Sequence, residues 1–251
     1  MAGLAAPADP LPRLLDAQAK AWRLVAEAQE RGFFAAGQTE SVLGKRLHVL
    51  ARDLLGVRRH WHKRIVRAGP NTLRPYREDP PDLELTDDCI FFLDLGPVFE
   101  QWEADIGMTM VLGADPDKHR LAADTQDVWR QGKAWFDSHP EATGRDLFLE
   151  TKALARDRGW ELGGDMAGHL VGRFPHERIP GDRTQSYVHP FNRQPMRGTM
   201  QGGVVRHWIY EVHLVDRGRG IGGFFEQLLT GPPGSAEGPL PSPTTRQARL
   251  G

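Results

Sequence analysis

The chain has 251 residues, 33 acidic against 32 Lys and Arg side chains, a formal charge of −1 and a single cysteine. That length suffices for one large or two small domains with a substantial core, and the balanced charge leaves no nucleic-acid footprint. One cysteine excludes an internal disulfide and a multi-thiolate metal site; an amino terminus without signal-peptide order, and no run of ~20 apolar residues, point to a soluble, cytoplasmic protein.

Residues 1–10 are small and proline-containing and are expected to be flexible. From Leu14 to Gln29, Leu15, Ala19, Trp22, Val25 and Ala28 recur at helical steps, which predicts an amphipathic helix. Thr39 offers an N-cap for a second helix that runs to Leu55 and stops at Gly56. Trp61–Ala68 reads as a strand, Gly69-Pro70-Asn71 as a turn and Pro75–Pro81 as an irregular loop. Cys89 opens an apolar run and reads as a buried, inert thiol. Ile90–Asp94 is a short apolar strand, and Phe99–Leu112 a second one broken or bent near Gly107. With Gly96-Pro97 between them the two form a hairpin, whose arms would project facing carboxylates into one space. Helices follow at Arg120–Ser138 and Arg145–Arg158, the latter opened by a capping-box-like Thr143-Gly144-Arg145-Asp146 and ended by Gly159. His207 and His213 flank Glu211 on an apparent strand. The stretch 231–251 is rich in Pro, Gly, Ser and Thr and reads as disordered, which leaves 11–230 as the folded domain.

Five residues carry chemistry in one chain order: Asp94, Asp105, His169, Glu211 and Glu226. Four carboxylates and one imidazole suit two divalent ions that share bridging carboxylates better than one tetrahedral zinc. Two of the five end strongly apolar runs, where an unpaired carboxylate is costly to bury. Singly, several have a plainer reading: Asp94 and Asp105 as turn caps, and His169 as a loop or satisfied core histidine; His176, seven residues on, reads plainly as part of an exposed turn. His60 and His62 beside Trp61 read as a strand mouth or a surface patch.

The order Asp, Asp, His, Glu, Glu, with the first two eleven positions apart, resembles the pita-bread metallopeptidase superfamily. That superfamily includes methionine aminopeptidase, aminopeptidase P, prolidase and creatinase. Gly168-His169-Leu170-Val171-Gly172, followed by His176-Glu177, is similar to the family's Gly-His-Gly-Ile-Gly…His-Glu stretch, and the resemblance runs from about Gly37 to about Leu229. It implies an α+β pita-bread fold, a curved antiparallel sheet covered by helices. It also implies two divalent ions, Mn²⁺, Co²⁺, Fe²⁺ or Zn²⁺, with Asp94 chelating one, Asp105 and Glu226 bridging both, and His169 and Glu211 completing the other. A hydroxide held between the ions would attack a carbonyl carbon. Glu211 would then move a proton and His176 would hydrogen-bond substrate or oxyanion, with Glu177 orienting His176.

The implied activity is that of an aminopeptidase, closest in local phrasing to the Xaa-Pro-type peptidases and standing as a catalytic domain alone, because residues 1–36 are too short for a separate amino-terminal domain. Its partner would be a peptide or small amide, with no nucleic acid or membrane, and a homodimer is left open. The alternatives are a creatinase-like C–N hydrolase acting on a non-peptide and a non-catalytic binding module. Two departures stand out. The family's early substrate-contacting histidine falls near Tyr76, with His62 the other candidate for that role, and Leu170-Val171 replace Gly-Ile, which would narrow the wall beside the metals. Gly168 and Gly172 would permit close backbone approach, and His213 shares the Glu211 face as a candidate support.

Overall fold

The computed structural model describes residues 9–176, 183–200 and 203–231. Most of the two termini read as flexible, and Glu177, lie outside that set. Asp9 and Pro10 are placed: Pro10 is buried at the start of the first helix, and Asp9 Oδ1 stands 2.8 Å from His207 Nε2.

The first helix, α1, is Leu11–Glu30, about a turn longer than the periodicity predicts. Its buried face is Leu14, Ala17, Gln18, Ala21, Trp22, Leu24, Val25 and Ala28, whereas Leu15 is half-buried and Ala19 exposed. Several alanines make neighbouring stripes look alike in sequence. The choice is made by Trp22, whose Nε1–H donates to Gln227 Oε1 (3.0 Å), and by Gln18, whose Oε1 accepts from Leu228 N (2.7 Å). Helix α2, Glu40–Leu55, is bounded as expected, by Thr39 accepting from Val42 N and by Gly56 at φ 67.

Strand β1 is only Ile65–Ala68; Trp61–Arg64 is irregular, and a 3-10 turn over Gly69–Leu73 replaces the simple turn. Strands β2 (Ile90–Leu95) and β5 (Ile106–Val111) are the antiparallel arms of the expected hairpin. Between them a smaller hairpin intervenes, β3 (Val98–Phe99) with β4 (Trp102–Glu103), turned at Glu100 with φ 58. The second arm is therefore broken, as one of the two readings had it, just before Ile106 and next to Gly107. Helix α3 (Pro116–Ser138) starts earlier than Arg120 because Asp115 caps it, accepting from the N–H groups of Asp117 and Lys118. Helix α4 (Gly144–Asp157) opens on the full Thr143/Asp146 capping box. Strands β6 (Glu161–Leu162), β7 (Gly168–Val171), β8 (His207–Asp216) and β9 (Ile221–Leu228) follow.

Seven strands form one antiparallel sheet in the order β1-β2-β5-β9-β8-β6, with β7 also paired to β8. One face carries Phe91, Leu93, Trp208, Tyr210, Val212 and Phe225 into the main core beneath α1 and α3. Trp22 stacks on Phe225 at 6.0 Å, and Trp129 of α3 donates its Nε1–H to Tyr210 O at 3.0 Å. Burying each such large side chain contributes about 1.5–3 kcal/mol. The alternate residues of the same strands face the other way, where Ile65, Phe92 and Phe224 form a small separate cluster. Among the described residues no helix is long and apolar enough to cross a membrane.

Candidate metal centre

Strand register lines up one row across the sheet. Asp94 of β2 stands opposite Gly107 of β5, Gly107 opposite Glu226 of β9, and Glu226 opposite Glu211 of β8. Residues directly opposed in antiparallel strands project to the same face, so three carboxylates rise together on the side away from α1 and α3. Asp105 shares that face with Gly107 by the two-residue period, and His169 joins it because its partner Ile209 lies two residues before Glu211. At Gly168 the backbone has φ 135, and an added Cβ would lie 2.1 Å from Ile209 O, so glycine lets β7 close against β8 there. Gly172 has room for a side chain, its nearest neighbour being 3.7 Å away, so the close approach expected from both glycines is needed at only one.

The five residues singled out in the sequence converge. His169 Nε2 is 3.0 Å from Asp105 Oδ2 and 3.6 Å from Glu211 Oε1. Asp94 and Glu226 share a hydrogen bond. A sixth group joins them: His62 Nε2 lies 3.0 Å from Asp105 Oδ1 and 3.3 Å from Asp94 Oδ1. Donor atoms of His62, Asp94 and Asp105 fall within 4.8 Å of one another, as do those of Asp105, His169 and Glu226.

Crowding dominates the electrostatics. Burial, with the neighbouring Asp105 charge, pushes Asp94 up to about 6, and burial pushes Glu211 up to about 7. Glu226 is raised well above the usual carboxylate range by burial and by the charges of Asp105, Asp94 and Glu211. Burial opposes charge on His62 and His169, yet the adjacent carboxylates outweigh it and bring both to about 9. Asp105 alone is lowered: burial would raise it, but the two imidazoles prevail. In addition, Glu226 Oε1 is fully buried and accepts no hydrogen bond. An orphan carboxylate oxygen among four crowded acids is what hard divalent cations satisfy, so the donor set fits such ions.

The group opens into a cavity of about 780 Å³ whose wall includes Trp61, Arg67, Tyr76, Phe174, His176 and His213. His176 lines it, held by a residue to which the sequence reading assigned no role. Glu103, 2% exposed, accepts from His176 Nδ1 (2.8 Å) and from its backbone N–H (3.1 Å). Glu103 lies two residues before Asp105, and that period was the available signal. Trp61 was likewise missed as a wall residue; its ring centroid is 4.5 Å from that of His62, 5.0 Å from His169 and 5.5 Å from His176. Arg67, 7% exposed, donates Nη2–H to Glu78 O, while its Nε–H meets no acceptor.

Other expectations are corrected. Leu170 and Val171 do not narrow the wall, because both pack into hydrophobic clusters away from the cavity, and aromatic Trp61 takes that place. Tyr76 stands at the rim, 49% exposed, its ring 5.9 Å from that of His62, so His62 rather than Tyr76 lies within the cluster. His62 is therefore no surface patch: its side chain is 6% exposed. His213 lines the cavity on the Glu211 face, but its Nε2 donates to Thr72 O (2.8 Å) instead of supporting Glu211. His207 is engaged by Thr230 and Asp9.

A sequence model of metallopeptidase family M24 matches residues 13–226, most of the chain. The chain belongs to that family. The pita-bread fold and the metallopeptidase kinship expected from the ligand order are those of this M24 chain, and the expected enzyme class, metal-dependent hydrolase, is the class of its family. Among solved structures, dipeptidase PepE from Mycobacterium ulcerans superposes with a TM-score of 0.68 at 21% identity, over 87% of this chain and 54% of its own. X-Pro aminopeptidase from Thermotoga maritima gives a TM-score of 0.69 at 18% identity, over 88% and 61%. Methionine aminopeptidase from Rickettsia prowazekii gives 0.59 at 12% identity, over 87% and 90%. The M24 chain thus spans little more than half the length of the first two. No curated protein is significantly similar to it.

Proposed function

We propose that this M24 chain is a two-metal peptidase that cleaves short peptides at the free amino end, with Xaa-Pro peptides the first candidates. One observation carries the reading: Asp94, Asp105, His169, Glu211 and Glu226 converge on one sheet face around the orphan Oε1 of Glu226, at the floor of a cavity. Asp94 would hold one ion, Asp105 and Glu226 would bridge, and His169 and Glu211 would hold the other. Four carboxylate charges match two divalent cations, and Mn²⁺, Co²⁺, Fe²⁺ or Zn²⁺ all suit oxygen with imidazole donors. When bound, such ions supply Lewis acidity, acidifying water and polarising a carbonyl.

The chain's own groups do the rest. Glu211, at the cavity floor, accepts a proton from the attacking water and returns it to the leaving amine. His176 is oriented by Glu103, which accepts from its Nδ1 and its backbone N–H, so that the ring faces the cavity where negative charge develops on the carbonyl oxygen. Trp61 and Phe174 exclude water along one wall. The unmet N–H donor of Arg67 marks the part of the wall that a substrate carboxylate would approach, which suits peptides of two or three residues.

The test is a screen of dipeptides, tripeptides and Xaa-Pro peptides with added Mn²⁺ or Co²⁺. Turnover that requires a free amine is expected; none on any such peptide sinks the aminopeptidase reading. A creatinase-like C–N hydrolase is the second reading, favoured by a phenol at Tyr76 where the peptidases of the family place an imidazole, and it would show as turnover of small non-peptide C–N substrates. Purified protein without stoichiometric divalent ion would instead support a binding module.

A further inference from the structure

His62 lies outside the Asp, Asp, His, Glu, Glu order, on the irregular segment between α2 and β1, and yet it meets Asp105 as His169 does. The two imidazoles take one carboxylate oxygen each, His62 Nε2 at 3.0 Å from Oδ1 and His169 Nε2 at 3.0 Å from Oδ2. Their other nitrogens match as well: His62 Nδ1 is 2.6 Å from Lys63 O, and His169 Nδ1 is 2.8 Å from Leu170 O. A carbonyl oxygen only accepts, so Nδ1 carries the hydrogen in both rings. In the neutral ring the lone pair is then on Nε2, which points at the carboxylates. Metal-binding histidines are held in this way, with the far N–H given to a backbone carbonyl that fixes tautomer and ring angle.

On the two-metal reading above, we infer that His62 is a sixth metal ligand, joining Asp94 on one side of bridging Asp105 as His169 joins Glu211 on the other. His62 would then give the Asp94 side of the site a nitrogen donor, as His169 would give one to the Glu211 side. The rest of the segment is built to hold the ring there. Trp61 N–H donates to Gly96 O at 2.9 Å, and the Trp61 ring packs edge-on against His62. A Cβ at residue 96 would lie 2.2 Å from the His62 ring, so the residue just after β2 must lack one for the imidazole to reach Asp94 and Asp105. The rival role, donating to substrate in place of the imidazole missing at Tyr76, fits less well. A neutral ring that donates from Nε2 would present a bare Nδ1 to Lys63 O, two acceptors face to face. Its Nε2 also lies between two carboxylates.

The experiment uses the full chain, labelled with ¹⁵N-histidine, stripped with chelator and reloaded with Co²⁺, and read by paramagnetic proton NMR alongside ion stoichiometry. Two strongly shifted, exchangeable Nδ1–H signals are expected from the unaltered protein, since each ligating ring keeps that proton. His62→Ala should remove one signal and His169→Ala the other. His62→Ala should also weaken one of the two ions by more than the ~10–100-fold that loss of an outer partner costs. Two bound Co²⁺ with a single imidazole signal, lost only in His169→Ala, would overturn the inference and leave the two-metal reading standing. No bound Co²⁺ in the unaltered protein would overturn both. The signal count in the unaltered protein decides even where a variant fails to fold.

Discussion

Tyr210 and Glu211 are neighbours on β8 and point to opposite sides of one sheet. On the helix side Tyr210 is fully buried, its hydroxyl 2.8 Å from Thr151 Oγ1 and its carbonyl accepting from Trp129, so each polar atom has a partner within the chain. On the other side Glu211 stands with Asp94, Asp105 and Glu226, a group short of internal donors, in which Asp94, Glu211 and Glu226 retain protons well above the usual range. One side is satisfied by its own packing; the other needs cations from outside. The alternation of a single strand thus separates what stabilises the fold from what equips it for chemistry.

The hardest test of that contrast removes a shared carboxylate. Asp105→Asn or Glu226→Gln should reduce peptidase turnover below detection and lower bound metal per chain, with the helix-side fold intact by circular dichroism. Full activity in either variant would break the contrast. Next in size, His176→Ala should lower turnover by roughly 10²–10³-fold, the usual loss for one oxyanion donor, at unchanged metal content. If the metals leave with the imidazole, its assigned role is wrong.

The pH dependence sharpens the same contrast. In chelated protein Asp94 moves from 3.8 to about 6, Glu211 from 4.5 to about 7, and His62 and His169 from 6.5 to about 9, with Glu226 also raised. Within this cluster the folded state therefore holds more protons than the unfolded state, and the cluster's contribution to stability falls as pH rises. Burial lowers His60 to about 4 and also lowers His48, His207 and His213, which opposes that fall below about pH 6.5, so the net loss of stability is expected between about pH 6.5 and 9. Asp105 has the opposite sign and loses its contribution only as pH drops below about 4. From Asp94 alone the fall is on the order of 3 kcal/mol. Divalent ions displace those protons, so metal loading should flatten the slope and release protons, measurable by melting curves and by titration in weak buffer. Chelated protein more stable at pH 9 than at pH 7 would contradict this account.

The smallest effects separate the two sides residue by residue. Tyr210→Phe should cost about 0.5–1.5 kcal/mol in stability and leave metal affinity unchanged. Glu211→Gln should do the reverse: weaker metal binding, with chelated protein at pH 8 no less stable than the parent in denaturant titration.

Much of this could be read along the chain. Helix α2 between Thr39 and Gly56, the capping box at Thr143 and Asp146, and the β2–β5 pairing all rest on short-range rules, in which a residue's neighbours in sequence are also its partners in space. The four acids and the histidine were legible for another reason: their order and local contexts resemble a family. The buried stripe of α1 was not, because its alanines leave several faces equivalent until Gln227 and Leu228 engage Trp22 and Gln18 from some 200 residues away.

By itself the sequence determined where the helices lie, the β2–β5 hairpin and the identity of the donors available to a metal. Only the tertiary structure decided that Glu103 holds His176, that Trp61 forms the wall and that His62 enters the cluster. Those contacts join segments with no shared period. Their geometry depends on how an irregular segment is pinned against the end of a strand, at Gly96, which nothing in the residues adjacent to His62 specifies.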